Sequence, residues 1–362
     1  MKILFVTSSS INGGAQKHIR EMFISLTKLG HKVFLSAPHG WLIDELHAYQ
    51  DNLLPFNTSK EGYSVISSWM KKETPDITNT FILSGGVMGT RAWSKIKCGK
   101  LFVTVNNPVI YDGISWYNKL IYPKLYKWMS KYASAFLVKS DTVRNEVESV
   151  IDNKKPVLSI KNGVDFAVFN KEISYPDLKK ELGINKDEIL VSNVAVLDER
   201  KGQKYLIEAI TQLRKTYPIH LMIAGEGPLK SYLISIIKQN QAESYIHLLG
   251  RRSDINCVLA NTDIFVLSSN HEGLPNSLME AMAMGLPCIS TDVGGVKQLI
   301  TDSSLGLVIP SKSSSAIVSA IEKYITDPNY KNEAGSNAYR SIVNNYDQSA
   351  VAGELVSIYE NL

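Results

Sequence analysis

Short apolar runs alternate with turns and one-sided helical stretches along the first 160 residues. "KILFVTS" is an apolar run of strand length, and "INGGA" after it is a glycine-rich turn. In the next stretch Ile19, Phe23 and Leu26 fall on one face of a helix that Gly30 ends. "KVFLSA" follows as a second strand, and "NTFILS", "KLFVTV" and "SAFLVKS" continue the rhythm. Strands separated by helices predict a parallel sheet wrapped by those helices.

The pattern breaks in "KPVLSIKNGVDFAVFN", at an Asn-Gly turn, which places a linker near Asn162 to Tyr175. A fresh series begins at "EILVSNVAV" and runs through "IHLMIAGEGP", "YIHLLGR", "TDIFVLSS", "LPCISTDVGG" and "LGLVIP". The expected fold class is α/β, with two Rossmann-like domains, 1–168 and 169–345, facing across a central cleft. "YDQSAVAGELVSIYENL", residues 346–362, reads as an amphipathic helix packing back towards the first domain. Ligands of doubly wound sheets sit beyond the carboxyl ends of the strands, so the cleft is where a ligand is expected.

Composition narrows the function classes. The 362 residues carry a formal net charge of only +4, too little for a dedicated nucleic-acid binder. Cys98, Cys257 and Cys288 have no metal-ligand spacing and no obvious pairing, which suits a reducing, cytoplasmic setting. "MKILFVTSSS" reads as a first strand and not as a signal peptide, and no run approaches the ~18 apolar residues of a spanning helix.

The chemistry concentrates in "HEGLPNSLMEAMAMGLPCIS". "TDIFVLSS" is a buried strand, "NHEG" the loop at its carboxyl end, and Pro275 sits at the first turn of a helix. The amides of Asn276 and Ser277 then point out of the helix start, a site for phosphate. Glu272 lies in the loop, and Glu280 lies among Leu278, Met279, Ala281, Met282 and Ala283, which leave little polar face for a merely solvated acid. A carboxylate there can accept from two hydroxyls, such as those of a ribose.

Glu272 to Glu280 resembles the E-x7-E motif of the family 4 retaining glycosyltransferases, which have the two-Rossmann-domain fold called GT-B. The likeness extends to "GGAQKHI", "IKNGVDFAVF", "AVLDERKGQKYLIEA" and "TDVGGVKQLI", and so covers nearly the whole chain. It implies a role for Glu272 at the donor sugar hydroxyls and for Glu280 at the ribose. It puts the backbone of Gly273, Leu274, Asn276 and Ser277 at sugar and phosphates, and Lys201 at the diphosphate leaving group. Gly13 and Gly14 correspond to the amino-terminal glycine loop, and Arg251 to the segment near the base. Charge-assisted bonds of the Lys201 kind contribute ~1.5–3 kcal/mol each.

Two positions depart from the family. Its Arg five positions before the Lys is here Val196, and Arg200 is the candidate to supply that charge, as a third catalytic residue with Glu272 and Lys201. Its His after the strand matching "LFVTV" is here Asn106, followed by Asn107; an Asn cannot act as a base but can hold an acceptor hydroxyl. Retaining members are thought to need no separate base, because the leaving diphosphate takes the acceptor proton. No Asp-x-Asp occurs, so no metal and no other cofactor is expected, and the nucleotide sugar is a co-substrate. His18 reads as a helix-surface or packing histidine.

From Ile114 to Lys139 there is no acid, while Lys119, Lys124, Lys127, Lys131 and Lys139 alternate with Trp116, Tyr117, Tyr122, Tyr126, Trp128 and Tyr132. That mixture, over residues 116–132, suits an anionic membrane surface or, equally, a partly buried helix with a solvated lysine face. The expected function is transfer of a sugar from a nucleotide diphosphate sugar, UDP by family frequency, to a glycan or lipid-linked acceptor in surface polysaccharide biosynthesis. A non-catalytic sugar-nucleotide-binding subunit and a nucleotide-sugar epimerase of the same architecture are the alternatives.

Overall fold

The computed structural model describes residues 1–11, 13–106, 109–110, 114–151 and 154–362. Asn12 of the first turn and Asn107 lie outside them. The described chain divides into two compact units, Met1–Gly163 with Gln348–Leu362, and Val164–Asp347.

In the first unit the described residues form a parallel sheet of β1 (Lys2–Thr7), β2 (Lys32–Pro38), β3 (Leu53–Phe56), β4 (Ile77–Phe81), β5 (Lys100–Val105), β6 (Ala135–Val138) and β7 (Val157–Ser159). Their order is β3-β2-β1-β4-β5-β6-β7. Side chains alternate across a strand, so Ile3 and Phe5 of β1 pack with Phe23, Leu26 and Leu35, while Leu4 and Val6 pack on the other face with Ile66, Met70 and Ala92. Burial on both faces is why β1 reads as an unbroken apolar run. Each such side chain contributes ~1.5–3 kcal/mol of transfer free energy. The helix Gly14–Lys28 buries Ile19, Met22, Phe23 and Leu26, and Gly30 at φ 87 turns the chain after it.

The helix Gln348–Asn361 belongs to this unit, although the whole second unit separates it from the rest in sequence. Tyr359 is buried against Phe102, and its hydroxyl accepts a hydrogen bond of 2.6 Å from the Asn79 amide.

The second unit holds β8 (Ile189–Val194), β9 (Ile219–Ala224), β10 (Ile246–Gly250), β11 (Ile264–Leu267), β12 (Cys288–Thr291) and β13 (Leu307–Ile309), ordered β10-β9-β8-β11-β12-β13 and parallel throughout. Ile264 and Val266 join one core layer, and Phe265 and Leu267 the other. In both sheets the strand order reverses beside the first strand, between β1 and β4 and between β8 and β11. The loops that leave those strand ends diverge there and open a crevice.

The structure corrects the basic patch. Lys139, read from the sequence as one of its surface lysines, is buried just after β6, with Nζ 2.8 Å from His18 Nε2 and donating to the Lys161 carbonyl at 3.3 Å. Burial pushes both Lys139 and His18 well below their ordinary pKa values. Tyr126 is also buried, on the inner face of the helix Trp116–Ser130. The outer face keeps Trp116, Tyr117, Leu120 and Ile121 exposed with Lys119, Lys124 and Lys127.

Candidate active site

The loops after β8 and β11, the two strands flanking the order reversal of the second sheet, are bound together. Asp198 caps a single 3-10 turn, Glu199–Lys201, by accepting from the Arg200 amide at 3.0 Å. Gly202 then takes φ 60 and starts the helix Gln203–Leu213. A Cβ on Gly202 would run into the Ser268 carbonyl oxygen, so the Lys-Gly pair is fixed by backbone crowding as well as by a positive φ. From the other loop, the Asn270 amide donates to the Arg200 carbonyl at 2.6 Å, and the Ser268 hydroxyl donates to the Lys201 carbonyl at 2.9 Å.

This clamp brings Lys201 onto Glu272. Lys201 Nζ donates to both carboxylate oxygens, at 2.7 and 2.8 Å, and the Ser269 hydroxyl donates to Glu272 Oε1 at 2.6 Å. Side-chain exposure is 19% for Lys201 and 9% for Glu272, so the pair is mostly withdrawn from water while one side stays open. Behind it, the loop Val293–Gly295 packs on the backbone of Glu272 and Gly273. Gly295 donates to the Gly273 carbonyl at 2.6 Å, and a Cβ on Gly294 would overlap the carbonyls of Glu272 and Gly273.

Pro275 immediately precedes the helix Asn276–Ala283 and accepts its first amide bond, from Met279. Ser277 therefore lies in the first turn, where helix amides lack intrahelical acceptors. Glu280 is buried in the same helix, and Leu274 is buried under the loop.

Arg200 is 63% exposed and its guanidinium grips Asp198 at 2.6 Å. Val196 is exposed, and its carbonyl accepts from Gln203. Arg251 is exposed just beyond β10, with no side-chain hydrogen bond or ion pair among the described residues. Its neighbour Arg252 instead holds the Asp254 carboxyl below its usual range through paired bonds of 2.6 and 2.8 Å.

In the first unit Gly13 precedes the helix that Gly14 opens. Asn106 follows β5 there, with a buried Oδ1 that lacks a partner among the described residues.

Sequence reasoning missed Ser269, Ser268 and Asn270, which hold the Glu272 loop to the Lys201 loop. Their signal was the polar "SSN" directly after an apolar strand. It also missed Gly225 and Gly227, where a Cβ would meet the carbonyls of Ala195 and Leu197. "AGEGP" carried that signal, as two glycines beyond a strand end.

The arrangement is a buried carboxylate, an ammonium and a helix start at the carboxyl ends of parallel strands. It suits binding of a sugar joined to a phosphate.

Comparison with known proteins agrees. The family model described as "Glycosyl transferases group 1" matches residues 174–341, and "Glycosyltransferase Family 4" matches residues 12–168. An uncharacterized glycosyltransferase of Methanocaldococcus jannaschii is 30% identical over 251 residues, 66% of this chain and 61% of that protein, so the chain spans less than two thirds of that relative. The UDP-Gal:alpha-D-GlcNAc-diphosphoundecaprenol alpha-1,3-galactosyltransferase of Escherichia coli is 28% identical over 85% of this chain and 82% of its own. The crystal structure of Anabaena HepE in complex with UDP-glucose superposes with a TM-score of 0.88 over 100% of both chains, at 19% identity, and shares the GT-B fold. On the two family models, which between them take in both units, the chain belongs to the group 1, family 4 glycosyltransferases.

Proposed function

We propose that this protein is a retaining glycosyltransferase, carrying a sugar from a UDP-sugar to a glycan or lipid-linked acceptor in surface polysaccharide biosynthesis. The observation that carries the reading is the Lys201–Glu272 pair, mostly buried and held by Ser269 at the order reversal of the second sheet. The donor and acceptor named for the Escherichia coli relative, and the UDP-glucose bound by HepE, support the substrate class.

In this mechanism an incoming diphosphate takes the Lys201 ammonium away from Glu272. That leaves the Glu272 carboxylate to accept bonds from donor sugar hydroxyls, while Glu280 accepts from the ribose. The Ser277 amide and the dipole of its helix favour the phosphates. Gly273, Leu274 and Asn276 line the approach with backbone, and the first-unit glycines Gly13 and Gly14 let a ligand come close. The acceptor oxygen bonds to the anomeric carbon on the face from which the diphosphate departs, and the departing oxygen takes the acceptor proton. Charge is balanced by Lys201 and the helix start without a metal ion. The exposed face of the helix Trp116–Ser130, with lysines beside Trp116, Leu120 and Ile121, suits docking on an anionic membrane.

Thermal unfolding with a panel of nucleotides, comparing wild type with Glu280→Ala, tests the donor assignment. A ligand at ~100 times its Kd adds ~2.7 kcal/mol, so UDP should raise the midpoint by several degrees in the wild type alone. Absence of a shift with every nucleotide diphosphate overturns the reading. The anomeric configuration of the product, read by proton NMR, tests retention.

A further inference from the structure

A cavity of about 540 Å³ opens in the first unit where its strand order reverses, between β1 and β4. Ile82 is a β-branched residue at φ 63, and it turns the chain out of β4 directly into the helix Leu83–Ile96, which forms one wall. Strained backbone of that kind gathers at binding sites.

Along this helix the cavity is lined by Ser84, Val87, Met88 and Arg91, a single face. Ser84 bonds to the Ser8 hydroxyl at 2.5 Å, and Asn106 lines the cavity beside them, so polar side chains line the strand-end side. Val87 and Met88 make the middle apolar, with Tyr126 opposite from the helix Trp116–Ser130. Arg91 closes the other end. Its guanidinium lies 5.0 Å from the centre of the Tyr63 ring, exposed and without a carboxylate partner among the described residues. From Ser84 to Arg91 is seven residues, or about 10 Å at 1.5 Å per residue.

A hydroxyl-binding end, an apolar and aromatic middle that suits the carbon face of a pyranose, and an unpaired guanidinium one sugar's length away define an occupant. Building on the glycosyltransferase reading above, we propose that this cavity binds the acceptor as a single sugar joined through its anomeric oxygen to a lipid diphosphate, with the diphosphate on Arg91. A guanidinium forks onto phosphate oxygens, and the aromatic ring beneath it fixes its plane. The reactive hydroxyl faces Ser84 and Asn106. Its oxygen forms the new bond to the donor's anomeric carbon as the bond to UDP breaks, and its proton leaves with the diphosphate. Such an acceptor is the product of a sugar-1-phosphate transfer onto a lipid phosphate, so the enzyme adds the second sugar of the chain.

The test uses synthetic undecyl diphosphates bearing glucose, galactose or N-acetylglucosamine, each paired with the undecyl glycoside that lacks the diphosphate. Calorimetric titration of the wild type should show at least one diphosphate binding tenfold or more tightly than its glycoside. Arg91→Gln should erase that advantage, and Ser84→Tyr should block both compounds, with UDP binding intact in each variant. Both positions are exposed, and an unchanged tryptophan-fluorescence melting midpoint certifies the fold. No tenfold advantage in the wild type, or an advantage that survives in Arg91→Gln, overturns the assignment. If the wild type binds UDP but none of the diphosphates preferentially, only the cavity inference falls; if it binds no nucleotide either, the glycosyltransferase reading falls with it.

Discussion

Replacing Lys201 with Met isolates the energetics of its ion pair with Glu272. The substitution leaves the Glu272 carboxylate, 9% exposed, with the Ser269 hydroxyl as its remaining side-chain donor. Breaking a buried ion pair from one side costs about 3–5 kcal/mol, and the open side of this one reduces that to about 2–3 kcal/mol. For a unit of this size each kcal/mol lowers Tm by about 2–4 °C, giving about 4–12 °C. Adding Glu272→Gln removes the stranded charge, so the double variant should recover most of the loss, a coupling that only interacting side chains show. The assay is unusually clean because all five tryptophans, Trp41, Trp69, Trp93, Trp116 and Trp128, lie in the first unit. Far-UV circular dichroism follows both units, while tryptophan fluorescence follows the first alone. Only the dichroism midpoint should move. Sugar transfer should fall one to two orders of magnitude in the single variant, on the value of a charge-assisted bond. A double variant as unstable as the sum of both singles, or a Lys201→Met protein within 1 °C of wild type, would refute the reasoning.

Three further outcomes follow from the same structure. Gly202→Ala should lose about 1–2 kcal/mol from its left-handed backbone alone, more from the Ser268 carbonyl, and should weaken UDP binding in titration calorimetry. In acid the second unit should weaken steadily. The Asn185 amide, with His220 and Arg214, holds Glu188 at about 2, so its stabilisation is complete above 4.5 and is lost as pH falls from there through about 2. Burial depresses His220 and His247, so the unfolded chain takes up their protons first below 6.5, and both effects lower the dichroism midpoint from pH 7 to pH 3; Glu188→Gln should flatten the part below 4.5. Lys139 is depressed by burial, against an opposing pull from Glu21, so the unfolded chain holds the extra proton and the first unit should gain stability as pH rises from 7 towards 10.5. Lys139→Met should be more stable than wild type at pH 7 and lose that slope, read by tryptophan fluorescence.

What could be read from the sequence was whatever is local. β1 carries the unbroken apolar run Ile3–Val6 because both its faces are covered, and β5, β8 and β9, buried in the same way, keep mostly apolar runs, so that pattern survives in one dimension. β3 and β7 were not separately legible. One is four residues long with Pro55 tolerated at the sheet edge, and the other has three residues with only Val157 buried. "NTFILS" reads as one strand, yet the strand ends at Phe81 and Ile82 turns at a φ that its side chain disfavours. Only the packing around it can enforce such a turn. At the site, the spacing of Glu272 and Glu280 was visible, but the bond from Lys201 to Glu272 spans 71 positions, and no periodicity encodes it. Lys139 was misplaced for the same reason. It stands where the apolar run "SAFLV" gives way to the polar "KSD", and it is His18, 121 residues away, that closes over its ammonium.

The helix Gln348–Asn361 has a consequence for the order of events during synthesis. Asn79 emerges early from the ribosome, but the Tyr359 hydroxyl that satisfies it comes 280 residues later, after the entire second unit. Until then the groove that receives Val351, Leu355 and Tyr359 exposes apolar surface to other nascent chains. The unit that starts first therefore finishes last, and a stop codon just before residue 348 would damage the amino-terminal half of the protein more than the carboxyl-terminal half it directly follows.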